Sequence, residues 1–77
     1  MEDIVEAIKE VQEEMSLPKA VKLKLEEIIT ILQGPGDRRL RASKVIAELE
    51  DLSDNSHLPS FVRSQLWNIV SLLETVQ

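Results

Sequence analysis

The stretch SLPKAVKLKL occupies residues 16–25, and HLPSFVRSQL occupies residues 57–66, forty-one positions later in a chain of 77 residues. In both stretches a Leu-Pro pair is followed by apolar residues three and seven positions after the proline, which is the spacing of one helix face. The correspondence continues in both directions without a gap, at Ile8 and Leu49, Val21 and Val62, Leu25 and Leu66, Ile28 and Ile69, and Leu32 and Leu73. The sequence therefore predicts an internal repeat, residues 1–36 and 42–77, in which each half is a helical hairpin.

Apolar residues at three- and four-residue steps predict four helices, at about residues 2–15, 18–33, 38–54 and 59–76. Proline is favoured in the first turn of a helix, so Pro18 and Pro59 start the second and fourth helices. In the linker GPGD we expect Gly34 to adopt the left-handed conformation and Asp37 to cap the third helix. The residues predicted to be buried are Ile4, Ile8, Val11 and Met15, then Val21, Leu25, Ile28, Ile29 and Leu32, then Ala42, Val45, Ile46, Leu49 and Leu52, and finally Val62, Leu66, Ile69, Val70, Leu73 and Val76.

The short linkers predict how the two hairpins combine. Residues 1–77 are long enough for one small domain, and helices joined by short loops pack next to one another. We therefore predict an all-α fold, a closed up-and-down four-helix bundle. A HEAT-like pair of hairpins is the alternative, although such arrays need about three units to stabilise one another.

Three segments of the chain are similar to a known family. RASKVIAELEDLSDN at residues 41–55, the Leu-Pro pair that follows, and SQLWNIVSLLE at residues 64–74 resemble uncharacterised protein family 0147, a group of small archaeal proteins. The resemblance covers nearly the whole chain, and the tryptophan-bearing last helix is its most specific part. It implies a compact four-helix bundle in an archaeal cytoplasm, and it assigns no catalytic, metal-binding or ligand-binding residue.

The composition limits the environment and the partners. A net charge of −5 and the absence of cysteine argue against nucleic-acid binding by the whole surface and fit a reducing cytoplasm. The first residues, MEDIVEAIKEVQEEM, are acidic and amphipathic, unlike a signal peptide. No run reaches the roughly 20 apolar residues that span a bilayer. We expect a cytoplasmic protein that does not contact a membrane.

The candidates for chemistry are weak. His57 lies near Ser53, Asp54 and Ser56, a grouping typical of turn residues that bond their own backbone. Adjacent carboxylates, such as Glu26 and Glu27, splay across a helix, and the Glu-x-x-His motif of di-iron bundles does not occur. We predict no catalytic residue, no metal site, no cofactor and no small-molecule substrate, and hence a protein that is not an enzyme.

Trp67 is the strongest candidate for a functional residue. At about 100° per residue, it points roughly 120° away from the apolar stripe of its helix, and its counterpart in the first half is Glu26. Tryptophan is enriched where proteins meet. We predict an interface formed by Arg63, Trp67, Val70 and Glu74 that binds a protein partner or a second copy of the chain. Leu23 and Leu40 also fall off their stripes, and the alternative is that a wide core covers Trp67.

Basic residues open two helices, where the helix dipole disfavours positive charge. One interpretation is intramolecular pairing of these residues with carboxylates. It pairs Lys19, Lys22 and Lys24 with Glu10, Glu13 and Glu14, and it pairs Arg38, Arg39 and Arg41 with Glu2, Asp3, Glu6 and Glu74. The other interpretation is an anion site, which would make the protein an RNA- or ribosome-associated module. Its residues would be Arg38, Arg39, Arg41 and Lys44.

Overall fold

The computed structural model describes residues 2–55 and 57–75, and these residues form four α-helices without a strand. The helices are α1 (Glu2–Gln12), α2 (Lys19–Gln33), α3 (Arg38–Asn55) and α4 (Ser60–Glu74). Both α1 and α3 pack against α2 and α4, whereas the backbones of helices at opposite corners do not approach closely within the described residues. The contact of α1 with α4 closes the ring, so the predicted up-and-down four-helix bundle is confirmed, in place of the HEAT-like pair.

The core draws on matching positions of the two hairpins. The predicted buried residues of α2 are all buried, and so are those of α4 that lie within the described residues; Val76 lies outside them. Val5 and Leu17 of the first hairpin are buried, whereas their counterparts Ile46 and Leu58 are half-buried and pack at the edge of the core. At these two positions, the apolar side chains of the second hairpin are therefore more exposed to solvent than those of the first.

The first helix is shorter than predicted, and Met15 is not part of the core. α1 ends at Gln12, and the Met15 side chain is 92% exposed. The chain turns after Gln12, with the Glu14 N–H donating to the Val11 carbonyl at 3.1 Å, and Leu17 fills the core beneath the turn. The prediction was wrong because Met15 fits the helical period of α1. The chain instead leaves the helix after Gln12, so that Leu17 can pack into the core before α2 starts.

Both hairpins start their second helix with the same backbone geometry. Pro18 has φ −60° and ψ 149°, and Pro59 has φ −59° and ψ 150°. The Pro18 carbonyl accepts from the N–H groups of Val21 and Lys22, and the Pro59 carbonyl accepts from the two equivalent N–H groups. Each proline is thus the residue before the helix rather than its first residue, and the fixed φ of proline defines the turn.

The linker at residues 34–37 differs from the prediction in one glycine. Gly34 has φ −79°, which is not left-handed, and Gly36 instead has φ 110°. The capping role predicted for Asp37 is confirmed, because its carboxylate accepts from the Arg39 N–H at 2.7 Å. The chain therefore leaves α2 extended and reverses at Gly36, the position in the linker that needs the conformational freedom of glycine.

The bundle has a radius of gyration of 11.5 Å and extends 33 × 20 × 18 Å. A compact chain of this length is expected to have a radius of gyration of about 11–12 Å. Across residues 2–55 and 57–75, no helix has the length and apolar character needed to cross a membrane.

Candidate functional site

The outward surface of α4 carries far less charge than that of α1. Every exposed residue of α1 is charged, whereas only Arg63 and Glu74 are charged among the ten exposed residues of α4. We call these ten residues the α4 outer face: Ser60, Phe61, Arg63, Ser64, Gln65, Trp67, Asn68, Ser71, Leu72 and Glu74. Depletion of charge is a property of the centre of protein interfaces.

Large apolar side chains are exposed on the same face. Phe61 is 52% exposed, Trp67 is 42% exposed and Leu72 is 41% exposed. The phenylalanine and the tryptophan are the only aromatic residues in the chain. Trp67 points away from the core, as predicted, and the core does not reach round to cover it. Aromatic residues are enriched at protein interfaces. Low charge and exposed aromatic side chains, which are both typical of interfaces, therefore occur on the same helix.

The α4 outer face divides into three rows at about 100° per residue. The Trp67 row contains Arg63, Trp67 and Glu74. On the other side of the helix is the Phe61 row, which contains Phe61, Gln65 and Leu72. Between them runs the serine row, formed by Ser60, Ser64 and Ser71. The large side chains therefore flank a central strip of small ones.

A shallow depression of about 230 Å³ lies on this face, lined by Ser60, Arg63, Ser64 and Trp67. The Arg63 guanidinium and the Glu74 carboxylate take part in no ion pair within the described part of the chain. Both charges are thus available to a partner.

Val70 is a correction to the predicted interface. Its side chain is 4% exposed and belongs to the core, whereas Arg63, Trp67 and Glu74 are exposed. Val70 lies about 60° from the centre of the apolar stripe, near enough for the neighbouring helix to cover it. It has almost no surface to offer to a partner.

Phe61 and Leu72 were not among the predicted interface residues. They are eleven positions apart, so they fall on the same side of α4, and each lies more than about 100° from the apolar stripe. The same angular argument that identified Trp67 would have found them. Leu23 and Leu40, which were predicted to lie off their stripes, are confirmed as exposed.

Glu26 is the counterpart of Trp67 in the first hairpin, and it takes part in a polar contact between α1 and α2. In the first hairpin, the Gln12 amide donates to the Glu26 carboxylate at 3.0 Å and to the Lys22 carbonyl at 3.2 Å, and these bonds join α1 to α2. A shift of forty-one residues takes Gln12 to Ser53 and Glu26 to Trp67. The Ser53 hydroxyl is buried and has no hydrogen-bond partner among the described residues. Among the described residues, the second hairpin has no equivalent of the Gln12–Glu26 hydrogen bond, and it exposes an indole ring at the position of Glu26.

The predicted anion site is only partly assembled. Arg41 is half-buried, and its Nη1 donates to the Leu32 carbonyl at the end of α2 at 2.6 Å, which is a structural role. The Asp37 carboxylate already accepts a hydrogen bond from the Arg39 N–H at the start of α3. Arg38, Arg39 and Lys44 are exposed and make no ion pair with any described residue.

The predicted intramolecular ion pairs do not form in the described part of the chain. Lys24 binds Glu48 of α3 at 2.5 Å and Glu27 of its own helix at 3.7 Å, rather than the end of α1. The hydrogen bond to Glu48 is the main reason why the pKa of Lys24 is raised. The prediction failed because Lys24 faces the α2–α3 groove, whereas the end of α1 is joined to α2 through Gln12.

The model of the uncharacterised protein family (UPF0147) matches residues 1–76. The chain belongs to this family. It is 32% identical to a UPF0147 protein of Methanothermobacter thermautotrophicus, over 96% of this chain and 74% of the relative. It is 30% identical to a UPF0147 protein of Archaeoglobus fulgidus, over 99% of this chain and 87% of the relative. No solved protein structure matches the chain.

The residues of this UPF0147 chain considered for chemistry differ in their exposure to solvent. Ser53 is buried and His57 is exposed, while Ser56 lies outside the described residues. Within residues 2–55 and 57–75, no group of three histidine, cysteine or acidic residues is arranged to hold a metal ion. The names of the UPF0147 relatives state the family and no activity. The α4 outer face is therefore the best-defined candidate site in this member of the family.

Proposed function

We propose that this protein is an interaction module, without enzymatic activity, that works by docking the α4 outer face onto another protein chain. One observation carries the proposal: the only two aromatic side chains of the molecule are exposed on the helix whose outer surface is nearly uncharged. The proposed setting is the cytoplasm, on the sequence grounds given above.

Exposed apolar side chains favour association, because a partner that covers them removes apolar surface from water. Removing apolar surface from water contributes roughly 25 cal/mol per Å², and Phe61, Trp67 and Leu72 all keep such surface exposed. Small domains often gain stability by association, because their own core is small. A partner that covers α4 would bury these side chains without having to desolvate a dense layer of charge.

The proposal is tested by photo-crosslinking in a native extract. A photoreactive phenylalanine analogue replaces Ser64, in the serine row, and in a matched control it replaces Ala47, an exposed residue of α3. We expect adducts of discrete mass from position 64 and none from position 47. An excess of unmodified protein should abolish the adducts, whereas an excess of the Trp67→Glu variant should not.

Two outcomes would overturn the proposal. One is the absence of a discrete adduct from position 64, and the other is the same set of adducts from positions 64 and 47. Either would mean that the α4 outer face has no specific protein partner.

A second candidate function is binding to RNA through Arg38, Arg39 and Lys44. It is supported by the exposure of these three cations near the start of α3 and by their lack of ion pairs among the described residues. Contacts to phosphate weaken steeply as salt rises, because condensed counterions are released on binding. The candidate is weaker than the first, since Arg41 and the capped start of α3 are already engaged.

A salt titration of RNA binding tests this candidate. The variant Arg38→Gln/Arg39→Gln should lose most of the binding seen at low salt, whereas Lys9→Gln/Lys19→Gln, which removes the same charge elsewhere, should not. Equal loss in both variants, or no binding at low salt, would reject it.

A further inference from the structure

We propose that the partner of the α4 outer face is a second copy of this chain, whose α4 lies antiparallel to the first across a two-fold axis. This inference rests on the proposed function, because it identifies the partner of the same face. A two-fold interface uses one patch twice, so residues that meet across it must be complementary in both directions. Each of the three rows of the face meets this condition.

The charges of the Trp67 row are self-complementary. Arg63 lies near the start of α4 and Glu74 at its end, and the midpoint between them falls at Asn68 and Ile69. In an antiparallel pair, Arg63 of each copy therefore faces Glu74 of the other copy. The chain as a whole carries a net charge of −5, but the α4 outer face carries one charge of each sign. Two copies can approach through this face without like charges meeting.

The apolar side chains follow the same arrangement. Phe61 and Leu72 lie in the Phe61 row, and the midpoint between them falls at Leu66 and Trp67. Phe61 of one copy therefore packs against Leu72 of the second copy, and the reverse contact forms as well. Trp67 lies next to the axis, so the two indole rings cover the centre of the interface, where contacts contribute most to affinity.

The serine row allows the helices to approach closely. Ser64 and Ser71 have their midpoint at Trp67 and Asn68, between the midpoints of the other two rows. One register therefore serves all three rows. Packed helices lie about 8–10 Å apart, depending on the side chains between them, and small residues favour the short end of this range.

The depression beside Trp67 receives a group from the second copy. It is lined by Arg63 and by Ser60 and Ser64, which offer one guanidinium group and two hydroxyl groups. In the antiparallel arrangement, Glu74 of the second copy reaches this part of the face. Guanidinium and hydroxyl groups donate hydrogen bonds, and a carboxylate is a strong acceptor for them. A parallel arrangement would instead bring Arg63 against Arg63, which disfavours it.

Sedimentation equilibrium of the purified full chain, from micromolar to submillimolar concentration at low ionic strength, tests the inference. We expect a monomer–dimer equilibrium. Arg63→Glu and Glu74→Arg should each weaken the dimer by about tenfold, because each places like charges together at two symmetric contacts. The two substitutions in one chain should restore the dimer. Matched controls with the same charge changes, Lys9→Glu and Glu50→Arg, should leave it intact.

A neutral series keeps the test independent of charge and of folding. Phe61→Ser should weaken the dimer by about tenfold or more, and far-UV circular dichroism checks that each exposed substitution keeps the helix content. A chain that is monomeric throughout the concentration range overturns the inference. A dimer that ignores both single charge reversals, or that the double reversal fails to restore, overturns it as well.

The two proposals fail in different ways. A monomer that still gives discrete adducts with another protein from position 64 would reject the second copy as the partner and leave the interaction module standing. The absence of any discrete adduct, together with a monomer, would reject both proposals.

Discussion

Two leucines of α2 show how the position of a single residue decides its contribution. Leu25 is fully buried, whereas Leu23, two positions earlier, is largely exposed. We expect Leu25→Ala to lower the free energy of unfolding by about 2–5 kcal/mol, because it leaves a cavity in the core. Leu23→Ala should change it by less than about 0.5 kcal/mol. Urea denaturation measures both, and similar losses would contradict the placement of the two side chains.

Ser53 allows a second test at the residue scale. Its hydroxyl is buried and bonds to no residue in the described part of the chain, so Ser53→Ala should leave the free energy of unfolding unchanged or raise it by up to about 1 kcal/mol. Gln12 holds the equivalent position in the first hairpin and is bonded. Gln12→Ala should therefore lower the free energy of unfolding, by about 0.5–1.5 kcal/mol. If Ser53→Ala is the more damaging of the two, the hydroxyl has a partner.

At the scale of the elements, α3 is stabilised by its N-cap residue Asp37, which was predicted from the sequence. The Asp37 carboxylate accepts from the Arg39 N–H, and loss of such a cap costs about 1 kcal/mol. We expect Asp37→Ala to lower the free energy of unfolding by that amount and Asp37→Asn to lower it much less. Thermal unfolding followed at the α-helical band measures the difference. An equal loss in both variants would show that the capping bond does not matter.

The elements also show what periodicity can and cannot predict. The starts of α2, α3 and α4 and the ends of α2 and α3 were predicted to within about two residues, because proline, glycine, aspartate or asparagine stands at these boundaries. No such residue stands at the end of α1, so the predicted helix extended to Met15 instead of ending at Gln12. In the linker, composition alone could not decide which of Gly34 and Gly36 takes the positive φ. On α4, the angle predicted the exposure of Trp67, and the apolar stripe predicted the burial of Val70, whereas the additional assignment of Val70 to the interface was wrong.

At the scale of the whole molecule, each hairpin depends on the other. The contacts of α1 with α4 and of α2 with α3 join the two halves, so neither hairpin can cover its own apolar face. We expect peptides 1–36 and 37–77 to have little helix content alone and to recover it when mixed in equal amounts. Circular dichroism measures this. A first hairpin that is fully helical alone would contradict the shared core.

The repeated Leu-Pro turn has a consequence for assembly. Because both hairpins start their second helix alike and bury matching positions, the bundle has an approximate internal symmetry that relates α4 to α2 at the opposite corner. A molecule with equally adhesive surfaces on both helices would link into open filaments. α2 carries Glu26, tied to Gln12, where α4 carries Trp67. In the proposed dimer, this polar pair leaves only the α4 outer face to bind a second copy, so assembly would stop at two chains.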